Sequence, residues 1–252
     1  MPEIRPGRAI EETLKPKSSI ATKLQPLLMR RTTIVWRISG FTIGLLLVSM
    51  ASASSQNRPS FDCAEGKEYI EKAICQSTAL STLDREIAAA YGVTRKLLDP
   101  IAQNALKNDQ KRFLAGREIA LTERYGNLTE FMETRLKLLR SLQAGSTGMA
   151  AADFLGEWKN QYGYIRIVQG KSDTVDIKIN SAAMVTGKWL CGIKTTAPVD
   201  SGSIAFTYEK VSIDITRDGS ALIISEKSPS EDGQKPYCGN NGGVGGHYFK
   251  VK

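Results

Sequence analysis

The chain has 252 residues, which is enough for one large domain or two small domains that each bury a core. Its hydrophobic content of 41% and charged content of 24% are ordinary for a globular protein. The formal net charge is +8, but residues 1–28 hold five Lys/Arg against three Asp/Glu, and residues 29–54 add three Arg without an acid. More than half of the excess is therefore N-terminal, and the charge gives no reason to expect a nucleic-acid partner.

An export leader is predicted at residues 29–53. Basic residues after Met29 precede a 13-residue apolar run from Ile38 to Met50, and Ala51-Ser52-Ala53 then forms an Ala-x-Ala cleavage signal. Thirteen apolar residues are too few to cross a hydrocarbon core of about 30 Å, so we expect cleavage after Ala53. The alternative is an uncleaved N-terminal helix that anchors the protein in the inner membrane. We expect residues 1–28 to be a disordered extension or a mis-assigned start, with translation beginning at Met29.

Residues 59–143 are predicted to form a small helical domain, either a helical hairpin or a three-helix module. Apolar residues in its first half recur at spacings of three and four, which places them on one helix face: Leu80, Leu83, Ile87, Tyr91, Thr94 and Leu98. Ser77 is suited to cap this helix, and Pro100 suits the first turn of the next one. The apolar pattern then continues to Leu142, with Gly116 or Gly126 as predicted breaks.

The fold class predicted for the whole chain is α+β. Residues 144–152 are small and flexible and are predicted to form a linker. In residues 153–252 the helical period disappears, and short alternating runs are separated by Gly, Asn, Asp and Pro. These runs are 164–168, 174–179, 204–208, 211–215 and 221–224. This spacing is typical of an antiparallel small barrel or sandwich.

The four cysteines, Cys63, Cys75, Cys191 and Cys238, all lie beyond the predicted cleavage site. An even number in an exported chain favours disulfides over free thiols. Three pairings are possible, and the short separation of the first two favours Cys63–Cys75 with Cys191–Cys238. The competing interpretation is a zinc site, but the chain has no Cys-x-x-Cys and only one histidine, His247, so no metal is expected.

Several residues of the predicted helical domain form a recognisable motif. They are Phe61, Asp62 and Cys63, then Glu71, Lys72, Ile74 and Cys75, then Leu83, Asp84 and Tyr91, and later Gln110, Phe113 and Arg117. This pattern resembles the N-terminal domain of the LprI-type lysozyme inhibitor family over about residues 59–142. The resemblance implies a helical fold and, as an expectation, inhibition of lysozyme by protein–protein binding.

The chain departs from this family pattern after Arg117. Further cysteines usually follow in the family, and Ile119, Ala120 and Leu121 occupy that region here. With no later partner in the helical domain, the comparison implies that Cys63 and Cys75 bond each other.

The β domain as a whole is not recognisable as a member of a family. The segment from Leu155 to Trp158 is similar to the Gly-x-Trp that opens lipocalin-type barrels, where the Trp closes the barrel floor. We therefore carry two alternatives for this domain. One is a barrel that holds a ligand, and the other is a packed small barrel or sandwich.

No catalytic residue, cofactor-binding residue or metal ligand is predicted, and we do not expect an enzyme. His247 has no matching nucleophile motif, and the glycine run before it lacks the Lys-Ser/Thr of a phosphate-binding loop. We expect a periplasmic or secreted bacterial binding protein whose partner is lysozyme or another envelope protein. The alternatives are a small-molecule or lipid carrier built on the barrel, and an envelope structural or adaptor module. We expect contact with a membrane only through an uncleaved leader.

Overall fold

A computed structural model of the protein describes residues 58–230, 233–239 and 241–252. The predicted leader at 29–53 and the preceding extension lie outside these residues. Five helices precede eight strands in the described chain. The helices are α1 (Tyr69–Gln76), α2 (Thr78–Leu97), α3 (Pro100–Thr122), α4 (Leu128–Ser141) and α5 (Ala151–Phe154). The strands are β1 (Gly156–Lys159), β2 (Gly163–Gln169), β3 (Thr174–Ala182), β4 (Leu190–Pro198), β5 (Ser203–Tyr208), β6 (Val211–Asp218), β7 (Ala221–Lys227) and β8 (Gly246–Lys250).

The helix boundaries follow from capping residues. The Ser77 side chain accepts a hydrogen bond from the Leu80 amide at the start of α2. The Asp99 side chain accepts from the amides of Ile101 and Ala102 in the first turn of α3, where Pro100 has no N–H that needs an acceptor. Asn127 caps α4 in the same way by accepting from the Glu130 amide.

The helical region contains four helices, one more than the predicted three-helix module and two more than the predicted hairpin. A two-turn helix, α1, precedes the three long helices. It is separate from α2 because the extended backbone of Ser77 ends α1, while the side chain of the same residue caps α2. Of the two predicted breaks, the chain turns near Gly126, while Gly116 stays inside α3. A Cβ atom on Gly116 would lie 2.7 Å from Cζ of Phe131, so the missing side chain lets α3 and α4 pack closely.

The strands form one antiparallel sheet in the order β4-β3-β2-β1-β8-β7-β6-β5. The two edge strands, β4 and β5, follow each other in the chain and lie close together, so the sheet curls into a nearly closed barrel. A single curled sheet is the barrel alternative of the prediction, whereas a sandwich requires two packed sheets.

The interior of this barrel is filled with side chains. Trp158 is fully buried, and its indole N–H donates to the carbonyl of Phe154 at 2.8 Å. Alternate residues of the strands point inward around it, among them Ile165, Ile167, Ile177, Ile179, Ile213 and Ile215. The barrel therefore matches the packed alternative of the prediction, and a ligand site has to be sought outside its interior.

The helices and the barrel share a second core. Ala221, Phe249 and Val251 from the sheet belong to the same buried cluster as the apolar faces of α2, α3 and α4. Backbone hydrogen bonds also join the two regions, because the amide of Gln143 donates to the carbonyl of Lys250 at 3.0 Å. The division of the chain at residues 144–152 stays a prediction, and α5 begins inside that segment.

The structure contains the two predicted disulfides, Cys63–Cys75 and Cys191–Cys238. The first ties the segment before α1 to α1 itself, and the second ties β4 to the segment before β8. Disulfides of this kind indicate an oxidising environment, either extracellular or periplasmic. Among the described residues, no helix is both long enough and apolar enough to span a membrane.

Candidate functional site

The charged residues of the motif from Phe61 to Arg117 mostly bind other parts of the chain. Asp84 pairs with Arg117 at 3.0 Å, and both side chains are almost completely buried. The second carboxylate oxygen of Asp84 accepts from the amide and the hydroxyl of Ser60, at 2.8 and 2.5 Å. Asp84 of α2 thus holds two other parts of the chain in place: the segment before α1, through Ser60, and α3, through Arg117.

Gln110 serves a second buried cluster. Its Oε1 accepts two hydrogen bonds from the fully buried Arg135, at 2.9 and 2.7 Å. The third contact of the guanidinium is with Asp109, whose carboxylate accepts from Nη1 of Arg135 at 2.5 Å. The guanidinium also lies over the Phe113 ring. Sequence reasoning identified Gln110 but missed Asp109 and Arg135, which look like ordinary solvated helix charges.

The other motif residues are local or apolar. Oε2 of Glu71 accepts from the amides of Lys67 and Glu68 at the start of α1, and Asp62 accepts from the amide of Ala64. Lys72 is exposed. The apolar members pack in or against the helical core: Phe61, Ile74, Leu83 and Tyr91. Most polar atoms of the motif are therefore occupied within the chain.

His247 has a partner that the sequence did not reveal. Its Nε2 lies 2.6 Å from a carboxylate oxygen of Asp218, at the end of β6. In the described part of the chain, no hydroxyl or thiol hydrogen-bonds to the other ring nitrogen. The pair therefore lacks the nucleophile that a hydrolytic triad requires.

A cleft of about 480 Å³ lies between α4 and the outer face of the barrel. One wall is the face of α4 that carries Thr134, Lys137, Leu138 and Ser141, which are spaced at three and four residues. The opposite wall is made by the β1–β2 turn and the end of β3: Lys159, Asn160, Gln161, Tyr162, Gly163, Tyr164, Asn180, Ser181 and Ala182. Met184 and Leu190 form the rim.

The β1–β2 turn is held by the side chain of Asn160. Its Oδ1 accepts from the amides of Tyr162 and Gly163 at 2.9 and 2.8 Å, and its Nδ2 donates to the carbonyl of His247. Gly163 is required at this corner, because a Cβ there would lie 2.4 Å from the carbonyl oxygen of Asn180. The turn is thus rigid, and it presents Gln161 between its two ends.

Gln161 is the unusual residue of the cleft. It is only 2% exposed, yet neither its amide nitrogen nor its amide oxygen has a hydrogen-bond partner among the described residues. Oδ1 of Asn180, which also lines the cleft, is likewise buried without a partner. Buried polar groups are nearly always hydrogen-bonded, so two unpaired amides in one cleft are exceptional.

The other lining residues are apolar, uncharged polar or cationic. Leu190 is 68% exposed and Met184 is 44% exposed at the rim. Lys137 and Lys159 are the charged lining residues, and no Asp or Glu of the described chain contributes to the wall. Burial raises the pKa of the Tyr162 phenol, so this ring stays neutral at physiological pH. The cleft therefore combines apolar walls, unpaired amides and positive charge.

A smaller, more polar cavity of about 250 Å³ adjoins the cleft across the same turn. The two share Asn160, Tyr162 and Ser181. The carboxylate of Glu226 lies in the smaller cavity and accepts from the amides of Val244 and Gly245. Glu226 thereby anchors the glycine run, whose function the sequence did not show.

Sequence reasoning could not find the cleft. A Gln in a polar turn carries no signal that it is buried, and the wall opposite is contributed by a helix distant in sequence. The exposed Leu190, next to Cys191, departs from the usual pattern of a polar outer face. No protein-family model, curated protein or solved structure matches this chain.

Proposed function

We propose that this protein is an exported binding protein that holds a small, largely apolar molecule in the cleft between α4 and the barrel. The observation that carries the proposal is the buried side chain of Gln161, whose amide has no partner among the described residues. A ligand that accepts from its nitrogen or donates to its oxygen would supply the missing hydrogen bond.

The size and the chemistry of the cleft support this assignment. Small-molecule sites usually measure about 300–1,000 Å³ and combine apolar walls with a few polar groups that orient the ligand. The cleft of about 480 Å³ falls within this range. Leaving a buried amide unpaired costs about 1–3 kcal/mol, a cost that a bound ligand would remove.

The oxidising environment indicated by the disulfides agrees with export, and the predicted leader at 29–53 would direct it. We propose the bacterial periplasm or the extracellular medium as the location. The proposed activity is binding, since the described residues around His247 include no nucleophile in reach of the imidazole.

The test is binding of a fluorescent apolar probe, 1-anilinonaphthalene-8-sulfonate or N-phenyl-1-naphthylamine, to the oxidised protein. We expect saturable binding that weakens when Met184 and Leu190 are both replaced by Ser, because these side chains form the rim. Ile101→Ser is the matched control, since Ile101 is similarly exposed but lies on α3 away from the cleft. Absence of saturable binding, or equal loss in the control, would refute the proposal.

Inhibition of lysozyme through protein–protein binding is the second candidate, and the motif over residues 59–142 favours it. An exposed apolar pair on α2, Val93 and Leu97, borders a groove with α4 and offers a contact surface. A lysozyme activity assay with residues 54–252 tests it, with Val93→Asp/Leu97→Asp as the variant. Inhibition by the wild type that the variant loses would support this candidate, and no inhibition at micromolar protein would exclude it.

A further inference from the structure

Three cations lie side by side on the outer face of the barrel, next to the cleft. Arg166 of β2 is directly opposite Lys178 of β3, and Lys178 is directly opposite Lys194 of β4. All three side chains are exposed. We call these three residues the cationic row.

Such an arrangement is unfavourable unless something compensates for it, because like charges directly opposite each other destabilise a sheet. Two carboxylates are nearby. Glu157 is opposite Arg166 on β1, but its ion pair is with Lys159, at 3.8 Å.

The second carboxylate, Asp176, lies two positions along β3 from Lys178 and accepts from the hydroxyl of Thr196 at 2.6 Å. Within the described chain, no member of the cationic row forms an ion pair. Asp176 lines the same surface pocket as the three cations, so the row keeps an excess of positive charge that a single carboxylate does not balance.

The cationic row continues the wall of the cleft. Tyr164 of β2 and Asn180 of β3 line the cleft and lie opposite each other. Tyr164 is two residues from Arg166 on β2, and Asn180 is two residues from Lys178 on β3. Residues two apart on a strand face the same side and are separated by about 7 Å. The unpaired Oδ1 of Asn180 thus lies between the apolar cleft and the positive charges.

From this continuity, and resting on the proposed function of the cleft, we infer that the natural ligand is an anionic amphiphile. Its apolar chain lies in the cleft against Leu138 and Leu190, and its carboxylate or phosphate head lies at the cationic row. A polar group along the chain forms the hydrogen bond that the amide of Gln161 lacks. The smaller cavity on the other side of the turn is less suited to the head, because Glu226 lines it together with Arg112, so that it offers one cation beside a carboxylate.

The inference is tested by calorimetry with three monomeric ligands that share one chain, dodecanoate, dodecyl phosphate and dodecanol. We expect the wild type to bind at least one of the two anions more tightly than dodecanol, and the preference between the anions identifies the head group. In the triple variant Arg166→Gln/Lys178→Gln/Lys194→Gln, affinity for the preferred anion should fall about tenfold at low salt, because each exposed charge pair contributes modestly. Affinity for dodecanol should not change.

A second triple variant, Lys96→Gln/Lys107→Gln/Lys111→Gln, is the matched control. It removes the same charge from exposed positions on α2 and α3 and should leave all three affinities unchanged. Added salt should weaken binding of the anion to the wild type and have little effect on the first variant.

The outcomes separate the two proposals. Equal binding of dodecanol and both anions, unaltered in the first variant, would overturn the inference and leave the cleft as a binding site. Binding of none of the three ligands would overturn both. Adsorption of the wild type and of the first variant to anionic vesicles is measured as well. If only the variant loses adsorption while its affinity for the anions is unchanged, the row binds a membrane surface and the inference is overturned.

Discussion

Replacing Gln161 by Leu should make the protein more stable and its cleft less able to bind. The Gln161 side chain is 2% exposed, and its two amide atoms have no partner among the described residues. Leu has a similar size, so the replacement removes the unpaired amide without leaving a large cavity. A residue that lowers stability in the free protein is expected where it contributes to function.

The expected gain follows from the cost of an unpaired buried group, about 1–3 kcal/mol. Because some strain accompanies any change of shape in a packed site, we expect a net increase of about 1–2 kcal/mol in the free energy of unfolding. For a protein of this size, each kcal/mol raises the melting temperature by about 2–4 °C. The variant should therefore melt about 2–8 °C higher than the wild type.

Thermal and urea unfolding, followed by circular dichroism without added ligand, measure this gain, and titration with the apolar probe measures the loss of affinity. Gln110→Leu is the matched control, because the oxygen of that amide accepts two hydrogen bonds from Arg135. Removing its two charged hydrogen bonds should lower the free energy of unfolding by about 2–3 kcal/mol. An unchanged or lower stability of Gln161→Leu would refute the reasoning, because it would mean that the amide is already satisfied in the free protein.

Three further results are expected from unfolding experiments. Removing the Cys191–Cys238 disulfide by double replacement with Ala should lower the free energy of unfolding by about 4 kcal/mol, because this bond closes a loop between residues 47 positions apart. An unchanged urea midpoint would contradict this prediction. Asp84→Ala should lower the free energy of unfolding by about 3–5 kcal/mol, because it leaves Arg117 buried and unpaired. The double variant Asp84→Ala/Arg117→Leu should recover part of that stability. Burial acts to raise the pKa of Asp99, but hydrogen bonds from Ser220 and the start of α3 outweigh it, so the pKa is lowered. The contribution of Asp99 is therefore present above its unfolded pKa and lost as the pH falls through its lower folded pKa. Asp99→Ala should lower the free energy of unfolding by about 1 kcal/mol at pH 7, and by progressively less as the pH falls below the unfolded pKa.

The helical half of the fold was the more predictable from sequence, because its signals are local. Three signals depend on residues within a few positions of each other: the cap formed by Ser77, the suitability of Pro100 for a first helical turn, and the apolar stripe from Leu80 to Leu98. The short α1 was missed because two turns of helix give too few residues for a period to be read.

In the β half, five strands were predicted from runs with clear alternation, and the other three strands show no such run. β1 and β8 each have fewer than six residues, and both contain Gly, which weakens the strand pattern. β4 reads Leu-Cys-Gly-Ile-Lys-Thr-Thr-Ala-Pro, and its Gly and Pro resemble loop residues. Its place at an edge of the sheet explains how both are tolerated, since an edge strand has one unpaired side.

The cleft was beyond prediction for a different reason. Its walls come from α4, the β1–β2 turn and β3, and only the docking of the helices on the barrel brings them together. The cationic row depends on strand register, which sets Arg166, Lys178 and Lys194 opposite one another, and register is not visible in three separate segments of sequence.

The shared core bears directly on whether the helical region folds alone. A chain ending at residue 145 loses Phe249 and Val251, both buried against the helices, and the hydrogen bond from the Ser220 amide to Asp99. Burying a large apolar side chain contributes about 1.5–3 kcal/mol, so two such losses amount to about 3–6 kcal/mol. That is comparable with the whole stability of many domains. We therefore expect residues 54–145 to show a broad, low-temperature transition by circular dichroism, and a sharp transition near that of residues 54–252 would show that the helical region is an independent domain.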